Sequence, residues 1–176
     1  LPLVVDEIQT GMGRTGEFWA SDHFDLDPDV ITSAKALRVG ATVASRETFP
    51  DDRARISSTW GAGDVLASAQ GALTIDAIHE HDLLSNATTR GRQFVETLRD
   101  ADLPGVEDVR GIGLMLAVEF DTKARREAVL DEALSRGLLT LGAGYKVLRL
   151  LPPLDVTERE IALGADLLRE SIEAVA

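Results

Sequence analysis

The stretch Val4-Val5-Asp6-Glu7-Ile8-Gln9-Thr10-Gly11, taken together with Ser33-Ala34-Lys35, decides the fold. In each, an apolar run ends on a functional side chain: a carboxylate at Asp6 and an amine at Lys35. Short runs of this kind predict buried parallel strands. Two such strands deliver both groups to one edge of a sheet, and that edge is where open α/β sheets bind ligands. The expected fold class is α/β.

Working outward, Gly11-Met12-Gly13-Arg14-Thr15-Gly16 is too rich in glycine for a regular element and predicts a loop that lets backbone approach a neighbour closely. No βαβ spacing follows it, so it is a poor dinucleotide fingerprint. A short helix is expected around Phe18–Phe24 and the next strand at Asp29–Thr32, with Lys35 just past its end. Val39–Ser45 predicts a third strand. Ser57–Gly63 is a second small-residue loop, and Asp64 can cap a helix in which Leu66, Ala69, Leu73 and Ala77 form a core stripe. His79 and His81 stand two apart, on different faces, and read better as solvated residues at a helix C-terminus than as metal ligands. No metal site is expected.

A second amphipathic helix carries Leu84, Ala87, Gly91, Phe94 and Leu98, and Pro104-Gly105 ends it. A domain boundary is placed there, giving residues 1–104 and 105–176. The second part reads as a small α+β unit. Leu114, Leu116, Val118 and Phe120 alternate along a strand, and a helix containing Val129 and Ala133 stops at Gly137. Short strands follow at Leu138–Leu141 and Val147–Leu151. Thr157 and Glu160 form a capping box that opens a last helix with Ile161, Ala165, Leu168, Ile172 and Val175 on one stripe.

Totals narrow the function classes. With 30 acidic and 18 basic residues among 176, the net charge is −12, and only Lys35, Lys123 and Lys146 are lysines. Such a surface repels phosphate backbones and anionic lipid, which argues against nucleic-acid and membrane partners. It suits either an ordinary acidic enzyme or a halophilic one, whose self-repulsion is screened by salt. The absence of cysteine excludes disulfides and thiolate chemistry. No apolar run approaches the roughly 20 residues that span a bilayer, and a cytoplasmic location is expected. A start on Leu1-Pro2-Leu3, already inside a strand-like run, suggests a fragment that begins mid-fold.

A carboxylate and an amine at neighbouring strand ends can be a buried ion pair or a cofactor clamp. Five blocks bear on the choice. Asp6-Glu7-Ile8-Gln9-Thr10-Gly11-x-Gly13-Arg14-Thr15-Gly16, Pro28-Asp29-x-Ile31-Thr32-x-Ala34-Lys35, Ser58-Thr59-x-Gly61, Arg110-Gly111-x-Gly113-Leu114-Met115 and Arg149-x-x-Pro152-Pro153-Leu154 follow one another across the chain. In order and content they resemble the successive signatures of the class III, ornithine/4-aminobutyrate-type, pyridoxal-phosphate-dependent aminotransferases.

The resemblance implies the C-terminal part of a fold-type-I large domain, built on a mixed, mostly parallel sheet, followed by a small α+β domain. It implies pyridoxal 5'-phosphate as cofactor. Asp6 matches the acid that pairs with the pyridine nitrogen, and Gln9 the amide near the ring hydroxyl. Lys35 matches the lysine that binds the cofactor aldehyde and then acts as general base. Thr59 matches the hydroxyl that reaches the cofactor phosphate of the partner subunit, so a homodimer with shared sites is implied. Arg149 matches the arginine that takes a substrate carboxylate in several members, a task suited to its bidentate fork. Arg14 and Trp60 match structural or site-lining positions. The implied reaction moves an amino group from an amino acid, such as the terminal amine of lysine, ornithine or 4-aminobutyrate, to a 2-oxo acid.

Two blocks depart from the pattern. Ala36-Leu37-Arg38-Val39-Gly40 replaces a glycine-rich run, and Ala62-Gly63-Asp64-Val65 replaces Gly-Asn-Pro. With Thr59-Trp60-Gly61, both changes are similar to the lysine 6-aminotransferase branch. A racemase or epimerase using the same cofactor, and a non-catalytic binding module, are the alternative readings.

Overall fold

The computed structural model describes residues 1–52 and 63–176. Two compact units divide it, Leu1–Leu84 and Ser85–Ala176.

The first unit is built on a three-stranded sheet of β1 (Val4–Asp6), β2 (Val30–Ser33) and β3 (Ala41–Ala44), in that order. β1 and β2 run parallel, with Val4 opposite Val30, Val5 opposite Ile31 and Asp6 opposite Thr32. β3 returns antiparallel to β2, so the sheet is mixed. The strands are parallel as expected but not buried: Val4 is 60% exposed. β-branched residues favour the pleat whether or not anything covers it. Between β1 and β2 the glycine-rich loop leads to a short 3-10 helix at Ala20–Phe24, with Asp22 accepting from the Trp19 backbone N–H at 3.3 Å.

Helix α1 (Val65–Glu80) starts at Asp64, whose carboxylate accepts from the Ala67 N–H at 3.0 Å. The core stripe expected on it is not the buried one. Leu66 and Leu73 are exposed, and Gly71 and Ile78 are buried instead. Contact with the turn after β2 decides the face: a Cβ at position 71 would lie 2.9 Å from the Leu37 carbonyl oxygen, so only glycine lets α1 approach that closely. At its other end His79 stacks on Phe18, with ring centroids 5.7 Å apart.

The second unit holds a four-stranded antiparallel sheet in the order β4-β5-β7-β6, from β4 (Val106–Ile112), β5 (Met115–Phe120), β6 (Leu141–Ala143) and β7 (Val147–Leu150). β6 begins where the expected strand at Leu138–Leu141 was to end. Three helices, α2 (Leu83–Arg99), α3 (Lys123–Ser135) and α4 (Glu158–Ala174), complete the unit. Leu116 faces Leu150 and Val118 faces Leu148 across the sheet, and all four are buried with Phe120. Burying each such side chain contributes about 1.5–3 kcal/mol. From α4, Ile161, Ala165, Leu168 and Ile172 join this core. Its N-terminus carries the expected capping box, with the Thr157 N–H donating to Glu160 at 2.8 Å.

All of α2 beyond Leu84 lies in this unit, whereas the sequence-based boundary put it with residues 1–104. Its Ala87, Phe94 and Leu98 are part of the second core, and Asn86 donates to the Leu154 and Val156 carbonyls at 2.7 and 3.0 Å. The helix ends at Arg99, before the expected stop at Pro104-Gly105, and the packing continues past both.

Candidate active site

The parallel register sets the geometry of the site. Asp6 ends β1 opposite Thr32, and Lys35 lies three positions beyond Thr32, past the end of β2. The carboxylate and the amine therefore leave adjacent parallel strands at their C-terminal edge, as the sequence predicted. Asp6 is exposed. Its Oδ1 accepts from the Ile8 N–H at 3.0 Å and lies 3.4 Å from the Thr32 hydroxyl, which fixes the side chain from both strands. Gln9 sits half-buried in the turn that follows.

Lys35 opens a single 3-10 turn, Lys35–Leu37, and is itself exposed. With Ala34, Arg38, Val39, Gly40 and Gln70 it lines an open hollow of about 400 Å³. Gln70 reaches this place because Gly71 brings α1 against the Lys35 turn. Two positions before the lysine, the Ser33 hydroxyl is buried and has no hydrogen-bond partner among the described residues.

Glu7, beside Asp6, is the residue that sequence reasoning missed. It is 1% exposed and ties the loop to the strand. Its carboxylate accepts from the Thr10 hydroxyl and, at 2.7 Å, from the Ser21 N–H, while its own N–H continues the parallel pairing to the Thr32 carbonyl at 2.9 Å. Burial pushes the carboxyl up, but the hydrogen bonds from Thr10, Ser21 and Ala20 outweigh it and hold Glu7 below the usual glutamate range. Thr10, three residues on, was the available signal.

A group whose folded pKa is depressed contributes stability above its unfolded pKa and loses it as pH falls through the folded value. Glu7→Ala is expected to cost about 2–4 kcal/mol at neutral pH, because buried donors lose their acceptor. It should also flatten the loss of stability on acidification below about pH 4.5. Urea unfolding of both proteins between pH 7 and pH 3 measures this. Parallel curves would remove Glu7 from that role.

Arg14 is half-buried in the same loop, and burial pushes its guanidinium pKa down. Arg149 occupies β7 in the second unit, opposite Ala117 of β5 and Leu141 of β6, and is half-buried. Thr59 and Trp60 lie outside the described residues. Among those described, no group of histidine and acidic side chains could hold a metal ion. No described helix is long and apolar enough to cross a membrane.

The family model for class-III aminotransferases matches residues 1–172. The chain belongs to that family. It is 40% identical over 176 residues to the acetylornithine aminotransferase of Bacillus subtilis, an alignment that covers 97% of this chain and 45% of the relative. With the acetylornithine aminotransferase of Archaeoglobus fulgidus the identity is 36%, over 94% of this chain and 44% of the relative. Among solved structures, the lysine aminotransferase of M. tuberculosis in its internal aldimine form superposes with a TM-score of 0.89 at 30% identity, over 99% of this chain and 42% of that one. An ornithine aminotransferase from Toxoplasma gondii, with partial occupancy of PLP at its active site, superposes with the same TM-score of 0.89 at 30% identity, over 99% and 43%. This class-III chain thus spans less than half the length of each relative. Its α/β architecture is that of part of a fold-type-I domain followed by an α+β unit.

Proposed function

We propose that this chain supplies the lysine and the acid of a pyridoxal-phosphate-dependent transaminase. The reaction moves an amino group from an amino acid, with a terminal amine such as that of lysine, ornithine or 4-aminobutyrate as donor, to a 2-oxo acid. One observation carries the reading: in a class-III chain, adjacent parallel strands bring Asp6 and Lys35 to one sheet edge.

The residues present suit the cofactor. An exposed carboxylate, an exposed amine and an unpartnered buried hydroxyl at Ser33 share that edge, and no metal-binding cluster competes among the described residues. When bound, pyridoxal phosphate supplies an electron-withdrawing ring conjugated to the substrate's amine-bearing carbon. Asp6 holds the proton on the ring nitrogen, itself oriented by the Ile8 N–H and Thr32. Gln9 stands near the ring hydroxyl. Lys35 would hold the cofactor through its aldehyde, and once the substrate amine displaced it, its Nζ would serve as the base that moves a proton from the substrate carbon. Arg149 receives a substrate carboxylate. Thr59, by its match to the family pattern, would hold the cofactor phosphate of a partner subunit in a homodimer.

The test is chemical. The full-length polypeptide carrying these residues, purified with pyridoxal phosphate and reduced with borohydride, should retain the cofactor covalently on the peptide containing Lys35, as read by mass spectrometry. Cofactor recovered on any other residue, or released entirely, would sink the assignment. Light scattering on the same preparation reads the dimer, and a fully loaded monomer would remove the role of Thr59.

A further inference from the structure

Arg38 carries a conformation that an arginine adopts only at a cost. Among the described residues, the non-glycine ones at positive φ are Met12, Asp25, Arg38, Asp82 and Asp102. Aspartate tolerates the left-handed region because its short polar side chain bonds locally. Met12 is 2% exposed, so burial offsets its strain. Arg38, at φ 68°, is exposed, and backbone hydrogen bonds at the end of the turn hold it there without its side chain. The guanidinium therefore takes no part in holding the turn and is available to a ligand.

The surroundings say what kind of ligand that is. Arg38 closes the 3-10 turn that Lys35 opens, its N–H donating to the Ala34 and Lys35 carbonyls at 3.0 and 3.2 Å. Lys35 and Arg38 line the same hollow. Among the described residues, no acidic one lines it. Neither side chain has a hydrogen-bond or ion-pair partner among the described residues. Elsewhere in this acidic chain Arg110, Arg125, Arg136 and Arg169 each lie in an ion pair. The result is a hollow with two cations that have no acidic partner among the described residues, one a point charge and the other a planar fork.

We propose that Arg38 receives a carboxylate of the substrate beside Lys35 and so sets which carboxylate-bearing substrates the site accepts. The inference rests on the reading of Lys35 as the reactive amine. A bidentate guanidinium–carboxylate pair fixes both distance and direction. Anchored there, a dicarboxylate presents its other end along the hollow toward the amine.

The experiment uses the full-length polypeptide loaded with pyridoxal phosphate, with Arg38→Gly and Arg38→Lys beside the unaltered protein. Glutarate, an unreactive dicarboxylate, is titrated by calorimetry, cofactor affinity is measured separately, and borohydride trapping on Lys35 is scored in all three. Arg38→Gly should bind glutarate about tenfold or more weakly, the loss expected for a charged hydrogen-bonding partner. KM for the 2-oxo acid should rise in proportion. Arg38→Lys keeps the charge without the fork and should fall between. Trapping, cofactor affinity and thermal stability should hold, since glycine adopts this φ freely. Unchanged glutarate affinity in Arg38→Gly would overturn the proposal. So would weakened cofactor affinity with glutarate unaffected, which would assign the anion to the cofactor phosphate. Failure of trapping in the unaltered protein would instead remove the reading of Lys35.

Discussion

Replacing Lys35 by alanine is expected to lower kcat of the full-length polypeptide by at least about 10³-fold while leaving the unfolding midpoint of the cofactor-free protein unchanged. The two halves of that expectation have separate causes. Lys35 is exposed, on a turn, without a hydrogen-bond or ion-pair partner among the described residues, so its loss removes no packing. Its proposed work is chemical. A positioned general base contributes about 10²–10⁴-fold, and the same amine also holds the cofactor. Lys35→Arg should be as inactive as alanine, because a guanidinium stays protonated and cannot take a proton from carbon. Small primary amines added to Lys35→Ala should restore part of the rate, since they replace the missing base without its anchoring. Steady-state kinetics of the three proteins, with calorimetric unfolding as control, gives the answer. A Lys35→Ala protein that keeps more than about a tenth of the activity cannot use Lys35 as its base.

The edge carrying Asp6 and Lys35 was legible because each apolar run is short, rich in β-branched residues and broken sharply by a functional group. The capping box at Thr157 and the alternation along β5 were legible for a similar reason, since polar residues mark the face that stays wet. α1 was not. Val65, Leu66, Ala67, Ala69, Ala72, Leu73, Ile75, Ala77 and Ile78 place apolar residues nearly all round it, so periodicity selects no face. The close approach at Gly71, a tertiary contact, makes the choice.

The site shows the same division. Asp6 and Glu7 are adjacent acids, and nothing local says which is buried; the Ser21 N–H that decides it comes fourteen residues later. Arg38 looks like any surface arginine until the hollow it shares with Lys35 is known. Chemistry written into residue type at a strand end can be read from sequence. Burial and placement depend on partners distant in the chain, and they supplied Glu7, Gln70 and the role proposed for Arg38.

In the second unit the expected sign of a glycine substitution reverses between two helices. Alanine is favoured over glycine inside a helix by roughly 0.5–1 kcal/mol. Gly164 in α4 should follow that rule, because a Cβ there meets nothing nearer than Leu138 Cδ1 at 4.0 Å. Gly91 in α2 should break it. A Cβ there would lie 1.9 Å from the Gly113 carbonyl oxygen and 2.5 Å from its carbon, and both belong to the backbone of the turn joining β4 to β5. Flexible side chains yield to such an intrusion; this turn, fixed at one end by Ile112 paired with Met115 and followed by fully buried Leu114, does not. Either α2 lifts off the sheet, exposing Phe94 and Leu98, or the hairpin distorts. The cost should reach about 3 kcal/mol or more, well above the propensity gain. Gly91→Ala should therefore lower the thermal midpoint sharply while Gly164→Ala raises it slightly. Equal and small shifts for both would mean that α2 and the β4–β5 turn do not approach as closely as the structure places them.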